Sequence, residues 1–283
     1  MTNKIGIGYI TCNAPDRVVQ SLPLIPAVDR VVLVNDGLSS GLPTMVPDFM
    51  EVIQHGTNRG VGASKNDALR YLMQEGCDHL FLIEDDVLIK NPNVFLEYIH
   101  TAEESGIWHL NYALQGPGNR AQDPNKIFKS IDDVPQMNHD SEPVSRGIRN
   151  YATTRVALYQ HLCGAFSYYY RGIINNVGYF DESYCNAMEH IDHTYKIIKK
   201  GLHPPFWWFA DIANAQNFIG DIPGCVKNSV IRKDSGFKEN IRKAGAIFAA
   251  KYGTTPVNIA DTDEMLVMGE MNRIQTTYAR KVL

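Results

Sequence analysis

His79-Leu-Phe-Leu-Ile83 runs without transition into three consecutive acids, Glu84-Asp85-Asp86. A short, nearly unbroken apolar run with no polar alternation describes a strand buried on both faces, as in a parallel sheet covered by helices. Two runs upstream have the same character. Ile5-Gly-Ile-Gly-Tyr-Ile10 is closed by the turn-prone Cys12-Asn13-Ala14-Pro15-Asp16, and Arg30-Val-Val-Leu-Val34 stops at Asn35-Asp36-Gly37. A shorter strand is expected over 50–54, followed by a loop over 55–62. Helices fill the intervals. One is expected over 17–24. A second is expected to open at Ser64 as N-cap with Asp67 as partner, to carry Ala68, Leu69, Leu72 and Met73 at helical spacing, and to stop at Gly76. Strand–helix alternation on this spacing gives an α/β fold with a mostly parallel central sheet flanked by helices. Such sheets bind ligands beyond the carboxyl ends of their strands. Asn13, Asp36 and Asp86 all fall just past such ends.

The second half is less regular. Residues 111–160 lose periodicity and fill with Gly, Pro, Asn and Asp, which predicts a long functional loop that orders over a bound ligand. Order returns over 162–170. A helix is expected over 188–200, ended by Gly201, and a strand over Phe206-Trp-Trp-Phe209. An amphipathic helix is expected over 237–252, with Ile241, Ala244, Ile247 and Phe248 on one stripe. Composition is that of an ordinary globular chain, and no window reaches the ~18–20 apolar residues of a membrane span. The run at 5–10 is too short for a signal peptide. Five scattered cysteines without C-x-x-C spacing fit reduced thiols, so a cytoplasmic protein is expected. A net charge of −4 argues against a chain-wide nucleic-acid footprint. Lys126, Lys129, Arg146, Arg149 and Arg155 fall in one polar stretch, either a local basic patch or, more plainly, a solvated loop.

The acids at 84–86 carry the clearest chemical signal. Three adjacent carboxyl groups at a strand end repel one another unless a cation sits among them. Mg²⁺ and Mn²⁺ take carboxylate oxygens together with substrate phosphates, so a metal–diphosphate site belongs there. A solvated acidic turn, or an aspartate capping the next helix, is the plain alternative.

Context favours the metal. Tyr9-Ile-Thr-Cys-Asn13, Val34-Asn-Asp-Gly37, Asn58-Arg-Gly-Val-Gly62 with Lys65-Asn66, and Leu82-Ile-Glu-Asp-Asp-Val87 occur in that order. Together they resemble the nucleotide-binding half of family 2-type GT-A glycosyltransferases. Gly164-Ala-Phe, Val177-Gly-Tyr-Phe-Asp-Glu182, Glu189-His-Ile-Asp192 and Lys199-Lys-Gly201 resemble the acceptor-side block of the same family. The resemblance spans roughly residues 4–210, and its specificity lies in the ordered set rather than in any one motif. It implies a GT-A catalytic domain over 1–215, with a nucleotide-binding half to about 110 and an acceptor half from 111, and a C-terminal helical extension over 216–283 packed on it. It implies an inverting transfer from a UDP-sugar with Mn²⁺ or Mg²⁺. Asp86 and Glu84 would serve the metal. Thr11, Asn13, Asp36, Arg59, Lys65 and Asp85 would serve the donor, Asp36 at the base or ribose and Arg59 and Lys65 at the base side or the diphosphate. The catalytic base is expected at Glu189, with Asp192 as second candidate, one helical turn away on the same face. Weaker candidates are His203 and Asp211 for a third metal ligand, and Trp207 and Trp208 for sugar stacking or for the core. The sequence departs from the family twice: Glu84 replaces the first Asp of Asp-x-Asp, and His190 follows Glu189 where Asp is usual, which suggests an orienting role for His190. A saccharide is the expected acceptor, with a modified base in DNA as the alternative. Two further readings stay open, a sugar-phosphate nucleotidyltransferase and a degenerate domain that binds sugar nucleotide without turnover.

Overall fold

The computed structural model describes residues 3–38, 42, 46–113, 117–120, 143–225, 235–259 and 263–280. Strands β1 (Ile5–Thr11), β2 (Arg30–Asn35), β3 (Met50–Gln54) and β4 (His79–Glu84) pair in parallel in the order β3-β2-β1-β4. Helix α1 (Pro15–Ser21) follows β1, and α2 (Val61–Gln74) joins β3 to β4. The short β5 (Val87–Ile89) leaves the acidic turn, and α3 (Val94–Ser105) leads to β6 (His109–Asn111). The main sheet is completed by β9 (Phe166–Tyr170), antiparallel and lying between β4 and β6.

Small residues let α2 approach the central strand. Gly6 and Gly8 lie on the same face of β1 by the strand's two-residue period. A Cβ at Gly8 would stand 2.6 Å from the Cβ of Ala68, and one at Gly6 2.7 Å from Leu72. The opposite face carries Ile7 and Tyr9, and the Tyr9 hydroxyl meets Ser21 of α1 at 2.6 Å. Toward β9 the core turns aromatic: Phe81 packs edge-on against Phe95 and Tyr98 of α3 and tilted against Phe166. Such ring pairs add ~0.5–1.5 kcal/mol each beyond the area they bury.

The irregular stretch contains more structure than its sequence suggests. β7 (Gly147–Asn150) and β8 (Arg155–Tyr159) pair antiparallel, and β10 (Phe209–Ile212) joins them in a second sheet ordered β10-β8-β7. Glu104 of α3 holds their connection, accepting from the amides and hydroxyls of Thr153 and Thr154. Within the expected loop, 147–150 and 155–159 are therefore corrected to strand; residues 114–116 and 121–142, with Lys126 and Lys129, lie outside the described residues. The strand expected over 206–209 is also displaced. It starts only at Phe209, because Trp207 takes a left-handed φ of 72° and turns its indole to donate to Pro256 O.

Helices α4 (Arg171–Val177) and α5 (Glu189–Lys199) follow β9, and β11 (Ile219–Asp221) pairs with β5. Helix α6 (Phe237–Tyr252) lies against α5, and α7 (Glu264–Tyr278) lies on α3 with Val267, Met271 and Ile274 buried. The Trp108 indole donates to Tyr278 O, which fixes the end of α7. Among the described residues no helix is long and apolar enough to cross a membrane.

Candidate active site

Strand order reverses between β1 and β4, and a crevice opens there at the carboxyl ends of β1, β2 and β4, the usual ligand position in such sheets. The cleft encloses about 620 Å³, including space continuous with solvent. Thr11 and Cys12 line it from β1, Asp36 from β2 and Glu84, Asp85 and Asp86 from β4, while Arg17, Asn58, Val61, Ser64 and Asn186 close the sides. Asp86 lies in the tight turn between β4 and β5, and its carbonyl accepts from Ile222 beyond β11.

The three acids have three different surroundings. Asp85 accepts from Thr11 Oγ1 at 2.7 Å and pairs with Arg17 at 3.2 Å. Burial still raises its carboxyl above the ordinary aspartate value, more than Thr11 and Arg17 offset. Glu84 meets Lys65 Nζ at 2.7 Å. Thr11 and Asp85, both expected at the donor, thus bond first to each other.

Lys65 is the buried pivot of the site. Its ammonium, 1% exposed, reaches Glu84, Glu189 Oε1 at 3.2 Å and Gly164 O at 3.0 Å. Burial alone would depress it, but the carboxylates of Glu84 and Glu189 outweigh that and hold it above the ordinary lysine value. Lys65 was expected to neutralise donor charge; its three partners here are protein oxygens. Burial likewise opposes ionisation of Glu189, yet His190 and Lys65 hold that carboxyl well below the ordinary glutamate value. His190 Nδ1 lies 3.0 Å from Glu189 Oε1.

The remaining expected residues divide. Asp36 lines the cleft, but its carboxylate already accepts from the amides of Arg59 and Gly60 and from His55 Nδ1, all within 2.8 Å. Its first task is to hold the loop before α2. The guanidinium of Arg59, also expected at the donor, pairs with Asp67 at 3.0 Å. Asn13 takes a left-handed φ of 50° and accepts from the Leu38 amide, so it shapes the β1 turn against Gly37. Asp192, the second candidate for the base, has other neighbours. It is fully buried and accepts from Tyr184, Tyr252 and Lys251, which places it in the joint between α5 and α6 and away from the cleft. Sharing a helix face with Glu189 brings it to a different neighbour.

His203 and Asp211 are buried and bonded elsewhere, His203 to Pro204 O and Asp211 to Tyr98 and the Ala113 amide. Trp207 and Trp208 are core residues, and Arg146 lies 3.8 Å above the Trp208 ring. Arg149 reaches Asn272 and Gln275 of α7, so two members of the expected basic patch hold the fold together.

Several cleft residues carried no sequence signal. Helix α2 starts at Val61, three residues before the expected Ser64 cap, because Asn186 Oδ1 accepts from the Val61 amide across 125 residues of chain. Gly60 supplies the entry with φ 96°, a conformation that favours glycine. Asn186 and Met188 both have left-handed φ, 54° and 63°, on the way into α5. Non-glycine residues held so cost on the order of 1–3 kcal/mol each and concentrate at functional sites. Arg17 was legible in principle, one turn into the helix that follows the first strand.

The carboxyl oxygens of Glu84 and Asp86 on the cleft wall are chemically suited to a hard divalent cation. Among the described residues no three His, Cys, Asp or Glu groups stand close enough to cage a metal unaided. The fit is to a cation completed by a ligand's oxygens and water.

No protein-family model matches the chain. It is 25% identical over 200 residues to an uncharacterised glycosyltransferase, R363, of Acanthamoeba polyphaga mimivirus, a match covering 68% of this chain and 66% of that protein. Solved structures with a similar course include Staphylococcus aureus TarS residues 1–349 with UDP-GlcNAc, at 16% identity and a TM-score of 0.39, over 63% of this chain and 48% of that one. The mannosyltransferase PcManGT of Pyrobaculum calidifontis with GDP-Man and Mn²⁺ aligns at 12% identity and 0.42, over 98% and 83%. GalNAc-T7 with UDP, GalNAc and Mn²⁺ aligns at 11% and 0.45, over 99% and 56%.

Proposed function

We propose that this chain is a glycosyltransferase of the GT-A fold that binds a UDP-sugar with Mn²⁺ or Mg²⁺ in the cleft and transfers the sugar to an acceptor hydroxyl with inversion. The observation that carries this reading is the convergence of the β1, β2 and β4 ends on a single crevice with Asp86 on its wall. The mimiviral relative's name agrees with it, and the UDP assignment rests on the ordered motifs. Asp86, with Glu84 behind it, would hold the cation, which when bound stabilises charge on the departing diphosphate. Thr11 and Arg17 keep Asp85 in place beneath that turn, and Asp36 fixes the loop that forms the cleft's side wall. In this reading residues 1–110 bind nucleotide, 111–215 face the acceptor, and 216–283 extend the same domain. The five free cysteines fit a reducing, cytoplasmic setting.

A saccharide acceptor is favoured over DNA, because Arg146 and Arg149 make internal contacts rather than a free basic surface. Incubation with Mn²⁺ and a panel of UDP-sugars tests the proposal through the product released. Free UDP is expected. Release of pyrophosphate from a nucleoside triphosphate and a sugar phosphate would instead indicate a nucleotidyltransferase, and nucleotide binding without turnover would indicate a degenerate domain.

A further inference from the structure

The proposed transfer requires a group that takes the acceptor's proton, and the expected candidate, Glu189, is poorly placed to take it. Its side chain is 3% exposed, and one oxygen, Oε1, already faces both Lys65 Nζ and His190 Nδ1. The adjoining imidazole is different. His190 is 22% exposed, and its Nε2 has no hydrogen-bond partner among the described residues. It sits at the second position of α5, where the left-handed Asn186 and Met188 bring the chain back toward the cleft. Gly164 leaves room for the ring: a Cβ there would lie 3.1 Å from His190 Cγ and Nδ1 and 2.9 Å from Lys65 Nζ. Glu84, which lines the cleft, connects through Lys65 to Glu189 and so to His190 in contacts of 2.7, 3.2 and 3.0 Å.

We propose that His190 is the general base of the reaction and that Glu189 is the positioning residue that orients its ring. The assignment rests on the glycosyl-transfer reading. A carboxylate accepting from Nδ1–H fixes the tautomer and leaves the lone pair on Nε2, the logic by which a buried acid orients a catalytic histidine. The acceptor hydroxyl gives its proton to Nε2 as its oxygen bonds to the anomeric carbon. The bond from that carbon to the diphosphate oxygen breaks, and its electron pair leaves with the diphosphate. Lys65, which also meets Glu84, gives the Glu189 carboxylate a cationic partner before donor arrives.

The test uses the full chain with Mn²⁺ and UDP-glucose, UDP-galactose and UDP-N-acetylglucosamine, water serving as acceptor and UDP release as readout. His190→Gln and His190→Ala are expected to lose roughly 10²–10⁴-fold in turnover while keeping the wild-type melting shift on adding UDP with Mn²⁺. Added imidazole is expected to restore part of the activity of His190→Ala, and formate to restore none to Glu189→Ala. The shift on UDP with Mn²⁺ reports that each variant is folded. Turnover of His190→Gln within threefold of wild type, absence of imidazole rescue, or formate rescue of Glu189→Ala would each overturn the assignment and leave the transferase reading standing. A wild-type chain that turns over no donor overturns the transferase reading, and the base assignment falls with it.

Discussion

At the scale of single residues, Lys65 decides more than any other side chain. A buried ammonium between two carboxylates and a carbonyl is stable only as a set, because desolvation is offset by partners held at hydrogen-bond distance. Lys65→Met would leave Glu84 and Glu189 facing each other without a cation. It is expected to cost about 3–5 kcal/mol in urea unfolding at neutral pH, the usual penalty for breaking a buried pair from one side. Adding Glu189→Gln to that variant should recover part of the loss, since the more deeply buried of the two surviving charges is then removed. A single variant as stable as wild type would show that Lys65 is not the counter-charge of the site. None of this is visible in the sequence. Lys65-Asn66 suggests a residue that reaches a donor, whereas its partners lie 19, 99 and 124 positions away.

At the scale of elements, the contact of α2 with β1 rests on glycines. Gly8→Ala would place a Cβ 2.6 Å from that of Ala68, on a helix whose start is fixed by Asn186 and whose interior is fixed by Lys65. A destabilisation of about 1–3 kcal/mol, the range for overpacking a core, is expected in urea titration. An unchanged midpoint would mean that α2 moves freely on the sheet. The central elements were legible because their signals are local: apolar runs at 30–34 and 79–83 end in turn or acidic residues, and Gly76 stops α2 as its position suggests. What was not legible depends on remote partners. Ser64 looks like a helix cap, but Asn186 supplies the cap from beyond β9. Asp192 shares a helix face with Glu189, but α6 arrives to bury it. Phe206-Trp-Trp-Phe209 looks like a strand, but Trp207 turns out of register to reach Pro256. The cleft's position was therefore readable from strand ends, while the division of labour among its charges was not.

At the scale of the whole molecule, burial makes stability depend on pH. His79, His161, His193 and His203 are each pushed by burial down to about 4. In the unfolded chain a histidine takes up its proton near pH 6.5. Between these values the unfolded state binds more protons, so each histidine contributes stability that is present above about pH 6.5 and lost toward pH 4. Asp211 acts in the opposite sense. Burial raises its carboxyl to about 7, so its contribution is present at low pH and lost as pH rises through that value. These histidines, with His109 pushed lower still, outnumber the raised carboxyls of Asp211 and Asp85, and the urea midpoint is expected to rise from pH 4.5 to pH 6.5 and then level or dip slightly. A midpoint that fell steadily across that interval would contradict the buried, neutral state of these rings. On the proposed reading, the crevice made by three strand ends holds a nucleoside diphosphate through a cation at Asp86. Calorimetric titration of UDP into wild type and Asp86→Ala, each with and without Mn²⁺, tests it most directly. The account predicts Mn²⁺-dependent binding by wild type and a loss on the order of 10–100-fold or more in Asp86→Ala, with the thermal melt of the variant unchanged. Equal UDP affinity in the two proteins, or wild-type binding indifferent to Mn²⁺, would contradict it.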